Sequence, residues 1–565
     1  MASSKGAAMH LTTVILLLLF ITALTNLAVT VVRVPLPLLQ IAVGAVCDLL
    51  GFHVAFDPAL FLLLFIPPLL FSDAYRIPKR ELTEAGVPVF MLSVGLVIFT
   101  TFGVGSFVHW LLPFVPLAAA LALAAVLSPT DAVALSGILN GRALPRRFMH
   151  VLQGEALLND ASGLVSFNFA VATVAGVHFS LGVASLEFLA VALGGILIGA
   201  ILGWAFFQLD KRVLSHHAGE ASIYVVLVML LPFAAYLAAE ELGLSGILAA
   251  VTAGLVLNLL DPFGGSHGAT RRHVFSLWRI LEFAFNGLIF LLLGLQLPSI
   301  LGGGIQRAVH AGYSPWALPL LIVFVTGVLI LLRFAWVLMT SLLRTGVHRV
   351  RRRGQRRIAS FGALALASVA GVRGAVTLAG ILSLPLFLPD GSQFPARSLL
   401  ISVAAGVIVL SLLIAVVCVP LLLRRLGQQD EDPFEAELAA ARQQMAESAM
   451  RELEERVEDG LKRREGTRRN AYEEAGSRVL ADYRLRLDGR DDGNDGQEQA
   501  REDKRAEMAL RLRGVRAERA EMRRLRQHHA INDEAVQILI EELDLAEEAL
   551  SRVAASLPAR REAAE

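Results

Sequence analysis

Between Leu11 and Leu423 the sequence is a succession of apolar runs, each about as long as a bilayer is thick, joined by short polar connections. A helix that crosses the hydrocarbon core needs about 20 apolar residues. Inside lipid every backbone polar group must find its partner within the segment, which leaves α-helices as the natural solution for such runs. Hydrophobic residues make up 55% of the chain, charged residues 18%, and mean hydropathy is +0.60. A water-soluble surface could not carry that much apolar area, so lipid is expected to solvate this part. Most of the charge falls after about Arg424, where the composition is too polar for a bilayer. The sequence therefore predicts an all-α, polytopic membrane protein over 1–427 and a helical aqueous tail over 428–565. The net charge of +1 averages two unlike parts and points to no partner, and nothing suggests a nucleic-acid ligand.

Two cysteines, Cys47 and Cys418, lie in separate apolar runs without metal-ligand spacing, which argues against a zinc site or a disulfide framework. The run from Leu11 to Val32 follows Lys5 as a signal peptide would, yet it is long for one and lacks a clear cleavage site, so it is read as a retained helix.

About thirteen spans are expected, near 10–32, 35–52, 57–73, 86–113, 115–139, 148–177, 183–208, 220–238, 241–260, 274–297, 313–342, 358–388 and 396–424. Basic residues gather in every second connection. They are Arg33, then Arg76, Lys79 and Arg80, then Arg142, Arg146 and Arg147, then Lys211 and Arg212, then Arg271 and Arg272, and last the dense Arg344–Arg357 cluster. The alternate connections are nearly bare, with Arg307 and Arg397 the exceptions. This alternation matches the positive-inside bias, with the N-terminus outside and the tail in the cytoplasm.

Ionisable groups in hydrocarbon are costly and call for an explanation. The fifth run carries Ser128, Pro129, Thr130 and Asp131 at its centre. Proline breaks the hydrogen-bond ladder there and frees carbonyls beside a carboxylate, an oxygen-rich setting suited to a hard cation. The alternative is a kinked helix whose Asp131 pairs with a basic side chain. The sixth run begins GEALLND; Glu155, Asn159 and Ser162 share a helix face, whereas the adjacent Asp160 points about 100° away from Asn159. Asp160 is the first choice for a carrier residue, the alternative being an acid locked in a salt bridge. The twelfth run, dotted with glycine around Arg373, is a second candidate for a broken helix. Arg333 in the eleventh run lacks a partner on its own helix and suggests a structural pair with Glu155; Arg279 and Glu282, three residues apart, suggest another. Asp73 in the third run is either an acid on an access path or an interfacial charge beside Arg76. Two interrupted helices in corresponding, inverted halves point to a transporter site near the bilayer midplane.

These residues resemble the monovalent cation/proton antiporter family of bacterial sodium/proton antiporters and animal sodium/hydrogen exchangers. The likeness rests on SPTDAVA at 128–134, GEALLND at 154–160 and GVRGAVTLAG at 371–380. It implies that Asp160 carries cation and proton in turn, with Asn159 beside it in the ion- and proton-binding set and sodium ligands drawn from Asp160, Asp131 and Thr130. It further implies a structural ion pair of Glu155 with Arg333, and Arg373 as the arginine of the second broken helix. One-for-one electroneutral exchange, a homodimer and a cycle without a resident cofactor are also implied, with Na+ and H+ as cargo. One departure stands out: Ala156 occupies a position where many relatives have serine, which leaves sodium against lithium and potassium open. The other functional alternatives are a potassium/proton antiporter and a membrane sensor that works through its tail.

In the tail, LDGRDDGNDGQEQA reads as a flexible link before two final helices near 501–528 and 532–554. Val536, Ile538, Leu539, Leu543, Leu545 and Leu550 form a candidate apolar stripe on the last helix, consistent with a bundle.

Overall fold

The computed structural model describes residues 2–426 apart from 33, 53–57, 77–89, 140–145, 177–180, 213–220, 261–267, 311 and 351–359. Beyond these it describes 450–462, 472–474, 511–516, 518–519 and 542–551, with single residues at 448, 477, 480, 508 and 524. The chain divides into two compact units, Met1–Gln429 and Asp430–Glu565.

In the first unit each apolar run forms a helix or a pair of short helices. In chain order these are α1 (Ala2–Val32), α2 (Leu36–Leu49), α3 (Pro58–Arg76), a five-residue π-helical segment (Met91–Gly95) leading into α4 (Leu96–Leu111), α5 (Leu117–Leu127), α6 (Ala132–Leu139), α7 (Arg146–Val174), α8 (Leu181–Arg212), α9 (Ala221–Glu241), α10 (Gly246–Leu260), α11 (Gly268–His310), α12 (Ala317–Val350), α13 (Phe361–Val369), α14 (Ala375–Leu382) and α15 (Arg397–Leu426). No strand occurs among the described residues; an isolated bridge joins Phe387 and Gln393. Among the described residues, seven helices are long and apolar enough to cross a membrane, and shorter apolar helices such as Leu36–Leu49 and Gly246–Leu260 accompany them. Trp110 and Trp316, both 75% exposed, stand at the ends of α4 and α12, where amphipathic rings meet a membrane interface.

Small residues set the closest helix crossings, as expected where lipid removes the hydrophobic drive between helices. At the α2–α11 crossing a Cβ on Gly44 would collide with the Leu291 carbonyl, and one on Gly294 with the Ile41 carbonyl. The α8–α10 crossing uses Gly199 against Ala249 in the same way. The deepest part of the main core is α5, whose Ala119, Ala122, Leu123, Ala124, Ala125 and Leu127 have no measurable exposure. A short, small-residue helix at the centre of the unit lets its neighbours approach the break that follows it.

In the second unit, the Tyr472 ring packs on Gly460 of the helix over 450–462. Arg519 pairs with Asp544 and Glu547, each at 2.7 Å, which sets the residues around 511–519 beside those at 542–551. The apolar stripe is corrected in one place. Leu543, Glu547 and Leu550 recur at i, i+4 and i+7 and share the half-buried face, whereas Leu545 lies about 200° from Leu543 and is exposed. Val536, Ile538 and Leu539 lie outside the described residues.

Candidate ion-binding site

The site forms where two helices are interrupted. After α5 ends at Leu127, residues Ser128–Asp131 leave the helix before α6 begins, because Pro129 has no N–H to continue the ladder. Gly163 on α7 makes room for the ring, since a Cβ there would lie 2.9 Å from Pro129 Cδ. Ser128 Oγ donates back to the Ala125 carbonyl at 2.8 Å. The second interruption, Ala370–Gly374, separates α13 from α14. The two meet directly: the Asp131 N–H donates to the Val372 carbonyl at 2.7 Å.

Four helix ends are thereby exposed within the protein, and each is answered by charge. At the negative C-terminal end of α5, Arg373 Nε donates to the Leu127 carbonyl at 2.9 Å, and the same guanidinium reaches the Gly371 carbonyl. The Arg373 backbone N–H donates to Ser411 Oγ on α15 at 3.2 Å. At the end of α13, Arg333 Nε donates to the Ala367 carbonyl at 2.8 Å. The positive N-terminal ends of α6 and α14 converge on one carboxylate. Asp131 Oδ1 accepts the Ala134 N–H at 2.9 Å, and Asp131 also fills the space that a Cβ on Gly374, the N-cap of α14, would need.

Beside the crossing, Glu155 and Arg333 form a two-pronged ion pair, with Arg333 Nη2 to Glu155 Oε2 at 2.8 Å and Arg333 Nη1 to Glu155 Oε1. Both side chains are buried. Thr130 Oγ1 donates to Glu155 Oε1 at 3.1 Å and accepts from Asn159 Nδ2 at 2.9 Å, so the pair braces the first break. Asn159 Oδ1 is buried without a hydrogen-bond partner among the described residues.

Asp160 differs from its neighbour. It is half-buried and has no hydrogen-bond or ion-pair partner among the described residues, and the charges that act on it are those of Asp131 and Asp73. Asp73, on α3, is exposed and lies in the fields of Arg76 and Asp131. The structure thus brings Asp73, Asp131 and Asp160 together around the crossing, with Thr130 and Asn159 in the bracing network.

Several details were not read from the sequence. Ser162, which shares a face with Asn159, shares its hydroxyl proton between the Ser93 carbonyl of the π-helical segment at 2.6 Å and the Asn159 carbonyl at 3.1 Å, which ties α7 to that segment. Arg397 closes the end of α14, donating to the Leu382 carbonyl at 3.3 Å and to the Leu384 carbonyl just beyond it at 2.8 Å; its place as the one basic residue of a connection otherwise bare of them was the available signal. The expected Arg279–Glu282 pair is corrected: Glu282 pairs with Arg76 of α3 and accepts from Ser72 Oγ at 2.8 Å. The α3–α11 packing brings a closer cation to Glu282 than its own helix does.

The family model for sodium/hydrogen exchanger, transmembrane, matches residues 15–425, which include both breaks and all three carboxylates. The chain belongs to the sodium/hydrogen exchanger family. The exchanger chain is 43% identical over 545 residues to an uncharacterised Na+/H+ exchanger of Escherichia coli (strain K12), YjcE, covering 94% of this chain and 97% of that one. It is 36% identical to a sodium, potassium, lithium and rubidium/H+ antiporter of Bacillus pumilus (strain SAFR-032), covering 89% of this chain and 72% of the relative. Among solved structures, the sodium proton antiporter MjNhaP1 of Methanocaldococcus jannaschii shares the fold, with a TM-score of 0.56 at 18% identity over 74% of this chain and 100% of that one.

Proposed function

We propose that this exchanger is a secondary antiporter that moves sodium against protons by alternating access, with Asp160 as the group that binds each in turn. The observation that carries this reading is the contrast between two acids on α7. Glu155 is neutralised by Arg333, whereas Asp160 has no ion-pair partner among the described residues and stands beside the crossing of two broken helices. An uncompensated carboxylate in a low-dielectric passage is costly, so movement of the core favours the states in which a proton or a cation cancels that charge. Asp131, balanced by two helix N-termini, supplies a fixed negative field, Thr130 an oxygen at the break, and Asp73 an acid on the approach. No resident cofactor is needed in this cycle.

The proposed frame is a membrane domain over 1–427 with about thirteen crossings, N-terminus outside, a cytoplasmic tail over 428–565, and a homodimer as the working form. One-for-one, electroneutral exchange and a role in pH homeostasis complete the reading. Two Bacillus relatives are named for sodium, potassium, lithium and rubidium, so all four cations belong in the assay. In proteoliposomes carrying an interior pH dye, the wild type should move protons when sodium is added, and Asp160→Asn, correctly folded, should not. Unchanged flux in that variant would remove Asp160 from the carrier role.

A further inference from the structure

Arg76 sits three residues after Asp73 on α3, which places the two side chains next to each other on the helix surface. The guanidinium nevertheless turns elsewhere. Its Nη2 meets the Glu282 carboxylate on α11 and donates to Ser72 Oγ at 3.0 Å. Ser72 Oγ in turn donates to Glu282 Oε1 at 2.8 Å, so the serine and the glutamate together form a cradle for the arginine. Ser72 is fully buried, which fixes the cradle in place. Arg279, three residues before Glu282 on α11, adds a second positive charge that acts on Arg76.

The Arg76–Glu282 pair is only part-buried, with 29% and 20% of the two side chains exposed. Ion pairs that water still reaches add little to stability, so holding the fold together is a weak reason for these charges. Their placement relative to Asp73 supplies a stronger one. A monovalent cation entering past Asp73 and the Arg76 guanidinium would compete for the same carboxylate, and a guanidinium lodged there would repel the next cation as well.

We infer that Glu282, with Ser72, is a positioning residue for cation entry: the two hold the Arg76 guanidinium off Asp73, so that this carboxylate stays open to a monovalent cation on its way to Asp131 and Asp160. This inference rests on the reading of those three acids as the cation path.

The test measures sodium-dependent proton flux in proteoliposomes of the full chain, resolved into KM and kcat. Glu282→Gln releases Arg76 onto Asp73 and should raise KM for sodium by about tenfold while kcat stays within about twofold. Ser72→Ala loosens the same cradle with a small, neutral change and should move KM in the same direction by about threefold. Arg76→Gln combined with Glu282→Gln removes the competitor and should return KM to near the wild-type value. A merely structural pair would leave the double variant as impaired as Glu282→Gln, and that result overturns the inference. Unchanged KM in Glu282→Gln overturns it too. If Glu282→Gln does not fold, an unchanged KM in Ser72→Ala does the same. A wild type that moves no protons with any of the four cations defeats the transport reading itself, a result distinct from an active wild type with indifferent variants.

Discussion

Replacing Glu155 with glutamine tests the brace that holds the first broken helix. The substitution keeps the size of the side chain and a hydrogen-bond acceptor for Thr130, yet it leaves the Arg333 guanidinium buried without its counter-charge. Removing one partner of a buried pair costs about 3–5 kcal/mol. Arg333 cannot escape to solvent, because its Nε is tied to the Ala367 carbonyl and the Gly371 backbone lies against the guanidinium, where an added Cβ would fall 2.8 Å from Nε. Unfolding entropy of about 2.1 cal/mol/K per residue, applied to the 429 residues of the first unit, gives about 0.9 kcal/mol/K. The midpoint should therefore fall by at least about 3 °C, and by more if helices retained in detergent reduce that entropy. Thermal unfolding in detergent, followed by tryptophan fluorescence, measures the shift. Arg333→Gln should cost a similar amount plus the lost cap on α13, and the double variant should cost clearly less than the sum, with a coupling of about 2 kcal/mol or more. Strict additivity of the two changes would refute the brace.

Gly374→Ala should leave the helices intact but push on the Asp131 carboxylate, lowering exchange at least about tenfold; wild-type flux from that variant would mean that Asp131 does not need its place between the two helix N-termini. Gly163→Ala should destabilise the protein by about 1–3 kcal/mol, because the new methyl group meets Pro129, and the same thermal assay reads this directly. If exchange is one-for-one, clamping the membrane potential with valinomycin and potassium should leave the initial rate of sodium-driven proton flux unchanged, whereas a rate that follows the imposed potential would exclude electroneutral exchange.

Much of the membrane unit was legible because lipid imposes a simple rule on it: long apolar runs must be helices, and the few ionisable groups among them need a reason to be there. Pro129 and the glycines around Arg373 marked both interruptions, and the one-residue step from Asn159 to Asp160 separated a braced side chain from an open one. What could not be read was tertiary. Arg76 and Ser72 come from α3 and reach Glu282 across 210 and fewer positions of sequence, so helix spacing alone paired Glu282 with the wrong arginine. The π-helical segment at Met91–Gly95 has no compositional mark; its carbonyls are satisfied by Ser162 and by Trp336 Nε1 at 3.1 Å, partners that the packing supplies. In the tail the stripe of apolar residues overstated the buried face: Leu545 is exposed, and the half-buried face includes Glu547, which pairs with Arg519.

In the proposed cycle one carboxylate, Asp160, holds either a proton or a sodium ion. Initial rates of radioactive sodium efflux from proteoliposomes, measured against sodium concentration at several pH values on the acid side, test it most directly. Competition for one group should raise KM for sodium by about tenfold for each unit of falling pH once the proton-bound form dominates, at constant maximal rate, with no flux in Asp160→Asn. A maximal rate that falls with pH while KM stays fixed, or sodium efflux that persists in Asp160→Asn, would contradict a shared carboxylate.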